Sequence, residues 1–258
     1  MTTSLNVGDR EYFSGAAILR EIGERLRVLL VAGILTGVVV GGVGGRAAMF
    51  ILRLTSPDSV RGVTSDDGFT IGEVTLGGTY SLLVLGAFIG LIGAAAYRWV
   101  SPWLLGPRWF RRVTVAAASS AVVGSMLVHA DGVDFTLLQP TWLAVSLFVA
   151  LPGLFGWLIG WAVDAVAAPG SWTSTGKRRW VLPVVCVAAF PPVIVAVVAA
   201  AAAVALWVMV GRVGAPNRPV QPLPLPLPLS LSWAVRGLWL TVALAGLVAL
   251  VRDVEALM

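Results

Sequence analysis

The sequence predicts an all-α integral membrane protein with six transmembrane helices. Three observations carry this. The chain of 258 residues is 58% hydrophobic and only 12% charged, about half the charged share of roughly 25% in a soluble domain. Six apolar stretches are long enough to cross a hydrocarbon core of about 30 Å. The cations alternate between the two sets of connecting loops, as the positive-inside rule requires of a polytopic protein.

Residues 1–27 form an amphipathic lead-in. Tyr12, Ala16, Leu19, Ile22 and Leu26 recur at helical spacing, with Arg20, Glu21, Glu24 and Arg25 between them. This segment reads as a cytoplasmic approach to the first span, or as a docking helix for a protein partner. It is a long mixed-charge segment, so a cleaved signal peptide is not expected.

The spans are placed near 28–52, 78–97, 113–129, 141–163, 193–210 and 231–251. The third is the weakest. Its Ala- and Ser-rich sequence calls for shielding from lipid by neighbouring helices. In the fifth region the apolar run from Trp180 to Val210 is too long for one straight span, and Pro183, Pro191 and Pro192 interrupt it. An interfacial or kinked piece before Pro191 is expected. A re-entrant piece is the alternative, and it changes the topology. Between the last two spans, the Pro-Leu run of residues 222–229 predicts an extended polyproline II spacer. This outer loop is a stiff connector or a second surface for a protein partner. The organisation is thus an N-terminal segment (1–27), a four-helix core (28–164) and a two-helix hairpin (165–258).

Twelve cations fall in the N-terminal segment, the loops after spans two and four, and the tail. Arg61, Arg212 and Arg218 are alone on the other side. Both termini are therefore expected in the cytoplasm, with the protein in a bacterial inner membrane. Lys177 is the single lysine, a bias typical of GC-rich genomes. The excess of +5 lies on the inner side, so it reads as topology and not as a nucleic-acid surface. Trp99, Trp103, Trp109, Trp172 and Trp180 map to inner interfaces, and Trp142, Trp207 and Trp233 to outer ones.

Gly33, Gly37, Gly41 and Gly45 stand four residues apart, and Arg46 follows. Residues at i and i+4 share a helix face, and small residues let membrane helices approach closely. Gly86 and Gly90 in the second span, Gly124 in the third, and Gly156 and Gly160 in the fourth extend the pattern. Spans one to four are therefore expected to form a close-packed bundle, with spans five and six at its edge.

The candidate functional residues gather toward the outer face. Loop one holds Asp66, Asp67 and Glu73; loop three holds His129, Asp131 and Asp134. Arg46, Arg53 and Arg236 fall in the outer third of their spans. Arginine at membrane depth is costly without a partner. The plainest reading is that these arginines and carboxylates lock the outer loops onto the bundle, in an assembly, scaffold or sensor component. An outward vestibule for a small solute or ion, using Arg46 and the loop carboxylates, is the alternative. An outer-leaflet enzyme with His129 as general base is a third. Cys186 and His129 are each the single residue of their type, which leaves little for a zinc site. No cofactor or metal is expected, since no Walker, HExxH, EF-hand or dinucleotide motif occurs. Asp164, at the inner end of span four, is expected to pair with Arg98, Arg111 or Arg112.

Overall fold

The computed structural model describes residues 15–60, 62–64, 68, 74–130, 132–214 and 229–258. Among these the chain is all-helical. Helix α1 (Gly15–Gly37), a π-helical stretch (Val38–Gly44) and α2 (Gly45–Thr55) run on as one rod. Then come α3 (Leu76–Val100), α4 (Arg108–Leu127), the short α5 (Val133–Leu137), α6 (Thr141–Ala167) and α7 (Arg178–Ala189). A 3-10 turn (Pro191–Val193) leads into α8 (Ile194–Gly214), and α9 (Leu229–Leu257) closes the chain.

Four helical segments are long and apolar enough to cross a membrane: Ile22–Thr55, Leu76–Trp103, Thr141–Ala167 and Ser232–Leu257. The bent pair formed by α7 and α8 raises this to five if counted as one span. Among the described residues the helices that are long and apolar enough thus number four or five, and six spans are not confirmed. The third expected span, α4, is absent from the four because Arg111, Arg112 and its Ala/Ser run lower its hydropathy. It nevertheless runs the length of the bundle, sandwiched between α6 and α9.

The first rod is the centre. It packs on α3, α6, α7 and α8, and Val28 to Ala32 with Ile34 are buried. Its glycine ladder meets the glycines of α3. A Cβ at Gly37 would fall on the carbonyl oxygen of Gly86, and one at Gly90 on that of Gly33. Gly41 lies 3.1 Å, on the same measure, from the Gly86 Cα. The backbones touch directly, the geometry for which small residues are needed.

The π-helical stretch ends this register. Its wider turn aims Gly44 at Leu151 of α6, while a Cβ at Gly45 would meet only Leu82, at an ordinary 3.5 Å. The regular four-residue ladder therefore brings three rungs against the α3 backbone, while the fourth meets only a side chain of α3.

A second close interface joins α4 and α6. Gly156 fits against Ser119 and the Val115 carbonyl, and Gly153 against Ser120. Pro152 interrupts α6. Proline there leaves the Phe148 carbonyl without its helix donor, and one residue on Ser120 Oγ donates to the Val149 carbonyl at 3.0 Å, tying α4 to α6. A Cβ at Gly124 makes only ordinary contacts, with Val149 and Leu250. Gly160 abuts Tyr97 and Arg112.

The last three helices depart from a simple antiparallel hairpin. Arg179 of α7 sits at the arginine-rich end beside Glu24. Phe190, at the other end of α7, stacks on Tyr80 near the start of α3, with ring centroids 6.5 Å apart. There the chain bends by 107°, at Pro191 and Pro192, where two helix donors are missing. Helix α9 begins again at the arginine-rich end, since Arg236 Nε donates to the Trp103 carbonyl at 3.0 Å. Further along, Gly246 packs on Ala121 and Val122, and Leu250 lies near Gly124. So α9 runs parallel to α4. This puts Arg236 at the same end as Trp103, not at the opposite end as the alternation of loops predicts. It also separates the start of α1 and the end of α9 to opposite ends of the bundle.

Candidate functional site

The expected outer cluster is only partly within the described residues. Asp66, Asp67, Glu73 and Asp131 lie outside them, as does the side chain of Asp134, whose backbone is in α5. Arg46 is half-buried at the start of α2, directly after the π-helical stretch, and it has an interaction partner. Arg53 is half-buried in the last turn of α2, where a cation complements the helix dipole. The His129 side chain is exposed, and its carbonyl accepts from Gly132 N at 3.1 Å. Among the described residues no three His, Cys, Asp or Glu side chains come together as a metal site.

The loops at this end are held chiefly by apolar contact. Leu52, Val60, Val128, Phe135, Leu138 and Leu250 form one buried cluster. Ser56 and Gln139 exchange hydrogen bonds across it, with Gln139 N donating to Ser56 Oγ at 2.9 Å and Ser56 Oγ to the Gln139 carbonyl at 3.3 Å.

The best-defined polar site is at the other end. Arg27 is 4% exposed. Its Nε and Nη2 donate to Glu24 at 2.9 and 2.8 Å, and Nη1 donates to the buried Thr173 at 2.5 Å. Arg179 reaches the other Glu24 oxygen at 2.6 Å. The network therefore ties α1 to both the α6–α7 loop and α7. Arg178 and Arg179 lie over Trp172 and Trp180, and Gly23 leaves room for the Trp180 ring. Asp164 pairs with Arg112 at 3.1 Å, one of its three anticipated partners. In the sequence Arg27 reads as one more flanking cation. The signal for its role was the i, i+3 spacing to Glu24, which competed with the Glu21–Arg25 pair.

Between the two ends lies a cavity of about 540 Å³. Val40, Gly41 and Ala48 of the first rod, Ala118 and Val122 of α4, and Leu151 and Phe155 of α6 form its floor. Leu85, Ile89 and Ile92 of α3 and Trp239, Val242 and Ala243 of α9 form its two walls. Those α3 residues and Val242 are about half exposed, so the space opens sideways between α3 and α9. Its lining contains no charged residue. Tyr97 and Ser119 are the polar ones.

No family model, curated protein or solved structure matches this chain.

With no relative to lend a role, the chemistry of the arrangement stands alone. Among the described residues the cavity between the two ends has an uncharged lining, with the hydroxyls of Tyr97 and Ser119 in it. No described acid or base faces the cavity.

Proposed function

We propose that this chain is a polytopic bacterial inner-membrane protein serving as an assembly, scaffold or sensor component. The observation that carries this reading is the uncharged lining of the cavity. A permeation path for an ion or polar solute requires polar or ionisable groups at membrane depth, and the described lining offers two hydroxyls. Backbone contact along Gly33, Gly37, Gly86 and Gly90 suits a rigid frame. An outer-leaflet enzyme has less support, because His129 is exposed and no described side chain orients it. A small-solute transporter keeps one favourable observation, the proline-broken α7–α8 pair, since discontinuous helices build transporter sites.

Flux separates these readings. Purified protein in liposomes is expected to pass protons, potassium and small anions no faster than empty liposomes. A flux above that background which Arg46→Ala abolishes, with folding intact, overturns the scaffold reading and establishes transport.

The topology we infer is five crossings, with α7 and α8 as a re-entrant pair. The arginine-rich end is cytoplasmic by the positive-inside rule. The N-terminal segment then lies inside and the end of α9 outside. In a Cys186→Ser background, an impermeant maleimide added to intact cells is expected to label Glu255→Cys. Thr175→Cys is expected to react only after permeabilisation. Labelling of both positions from one side returns the topology to six crossings.

A further inference from the structure

The lateral cleft has a built-in cation at one mouth. Arg236 stands one turn before Trp239, which lines the cleft. Its Nε is fixed by the Trp103 carbonyl at 3.0 Å, and its guanidinium lies 4.8 Å from the centroid of Trp233. Its two terminal nitrogens make no hydrogen bond to any described residue. Val100, three residues before Trp103, also lines the cleft. Trp99 and Trp103 pack edge to face at 4.7 Å beside it, an aromatic pair of the kind that marks a membrane–water interface. Along α3 the lining extends from Leu82 to Val100, about 27 Å at the α-helical rise.

We propose that the cleft between α3 and α9 binds one glycerophospholipid of the leaflet at the arginine-rich end, an acyl chain in the cleft and the phosphate on Arg236. This site is independent of the scaffold reading.

Three physical arguments select this occupant. A void of about 540 Å³ is in the range of small-molecule pockets, roughly 300–1,000 Å³. Left empty, it forfeits the dispersion contacts of its whole lining. Its opening faces the hydrocarbon, and its lining offers almost nothing for water to bond, so an apolar chain is the guest that fits. The charge is complementary too: arginine at membrane depth requires an anion or an exit to water, and a guanidinium matches phosphate oxygens in a fork. A transmembrane helix from a second copy would fill the opening but leave Arg236 with no anion.

The test is native mass spectrometry of the full chain, delipidated and titrated with phosphatidylglycerol. Wild type is expected to retain one lipid per chain. Ala96→Phe and Ala243→Phe fill the cleft from opposite walls, and Arg236→Gln removes the charge. Each is expected to bind about tenfold more weakly, the two filling variants at unchanged melting temperature. Equal binding by wild type and the folded filling variants overturns the proposal. So does a lipid-free dimer. If the variants do not fold, wild type alone decides. A nanodisc structure with brominated-chain phosphatidylglycerol is expected to place bromine between Leu85 and Val242. Bromine found only elsewhere overturns the site.

Discussion

Replacing Gly37 by valine is expected to prevent assembly of the bundle. The new Cβ falls on the Gly86 carbonyl oxygen and 2.8 Å from the Gly90 Cα. Both neighbours are backbone, so no rotamer change relieves the clash and α1 must part from α3. Overpacking a close interface costs about 1–3 kcal/mol where side chains can adjust. Here they cannot, and the loss is expected to exceed that range. Gly90→Val faces the Gly33 carbonyl and is expected to fail in the same way. Gly77 and Gly237 have nothing within 4 Å of the position a Cβ would take. Alanine there is expected to be neutral or to add up to about 1 kcal/mol, the helix-propensity gain. The readouts are the monodisperse yield in detergent and the melting temperature of whatever folds. A Gly37→Val protein that melts with wild type would remove the α1–α3 contact from the account.

The second large effect is expected at Arg27. Removing its side chain leaves Thr173 buried with one donor fewer and takes one cation from Glu24. Arg179 remains on Glu24, so the carboxylate is not stranded. The loss in Arg27→Ala is then expected at about 2–3 kcal/mol, near that of a buried charged hydrogen bond and below that of a fully orphaned buried charge. Glu24→Gln keeps an acceptor for Arg27 but takes the anion from a cation that is buried, so its cost should be comparable, about 2–3 kcal/mol. Hydrogen exchange locates the effect. Protection should fall first in residues 171–181, where the network holds the α6–α7 loop to α1. Loss confined to the opposite end, around Ser56 and Gln139, would contradict this assignment.

Helix class and close packing were legible because both are written in periodicity. A run of apolar residues fixes a spanning element, and glycine at every fourth position marks one helix face. The pairing of Asp164 with a nearby arginine followed from their shared place at one end of their helices. Arg236 was misplaced for a definite reason. Strict alternation assigns each apolar stretch one crossing, but this stretch bends by 107° at Pro191 and Pro192, and α9 starts again at the arginine-rich end. That inverts the direction of everything after it. Gly246, which seats α9 on α4, escaped notice because Val242 and Leu250, not small residues, stand four positions to either side of it.

By itself the sequence determined that the chain is helical and apolar, with its positive charge gathered on one side and its small residues on helix faces. These are local properties, dictated by composition and by the 3.6-residue period. The tertiary structure decided which glycines touch backbone and which do not, because the π-helical stretch rotates the face after Gly41. It decided that α9 runs parallel to α4, and that Arg27 is held by Glu24 and Thr173 and Arg236 by the Trp103 carbonyl. Those facts depend on which helices are neighbours, and a one-dimensional pattern carries the face a helix offers but not the partner that meets it.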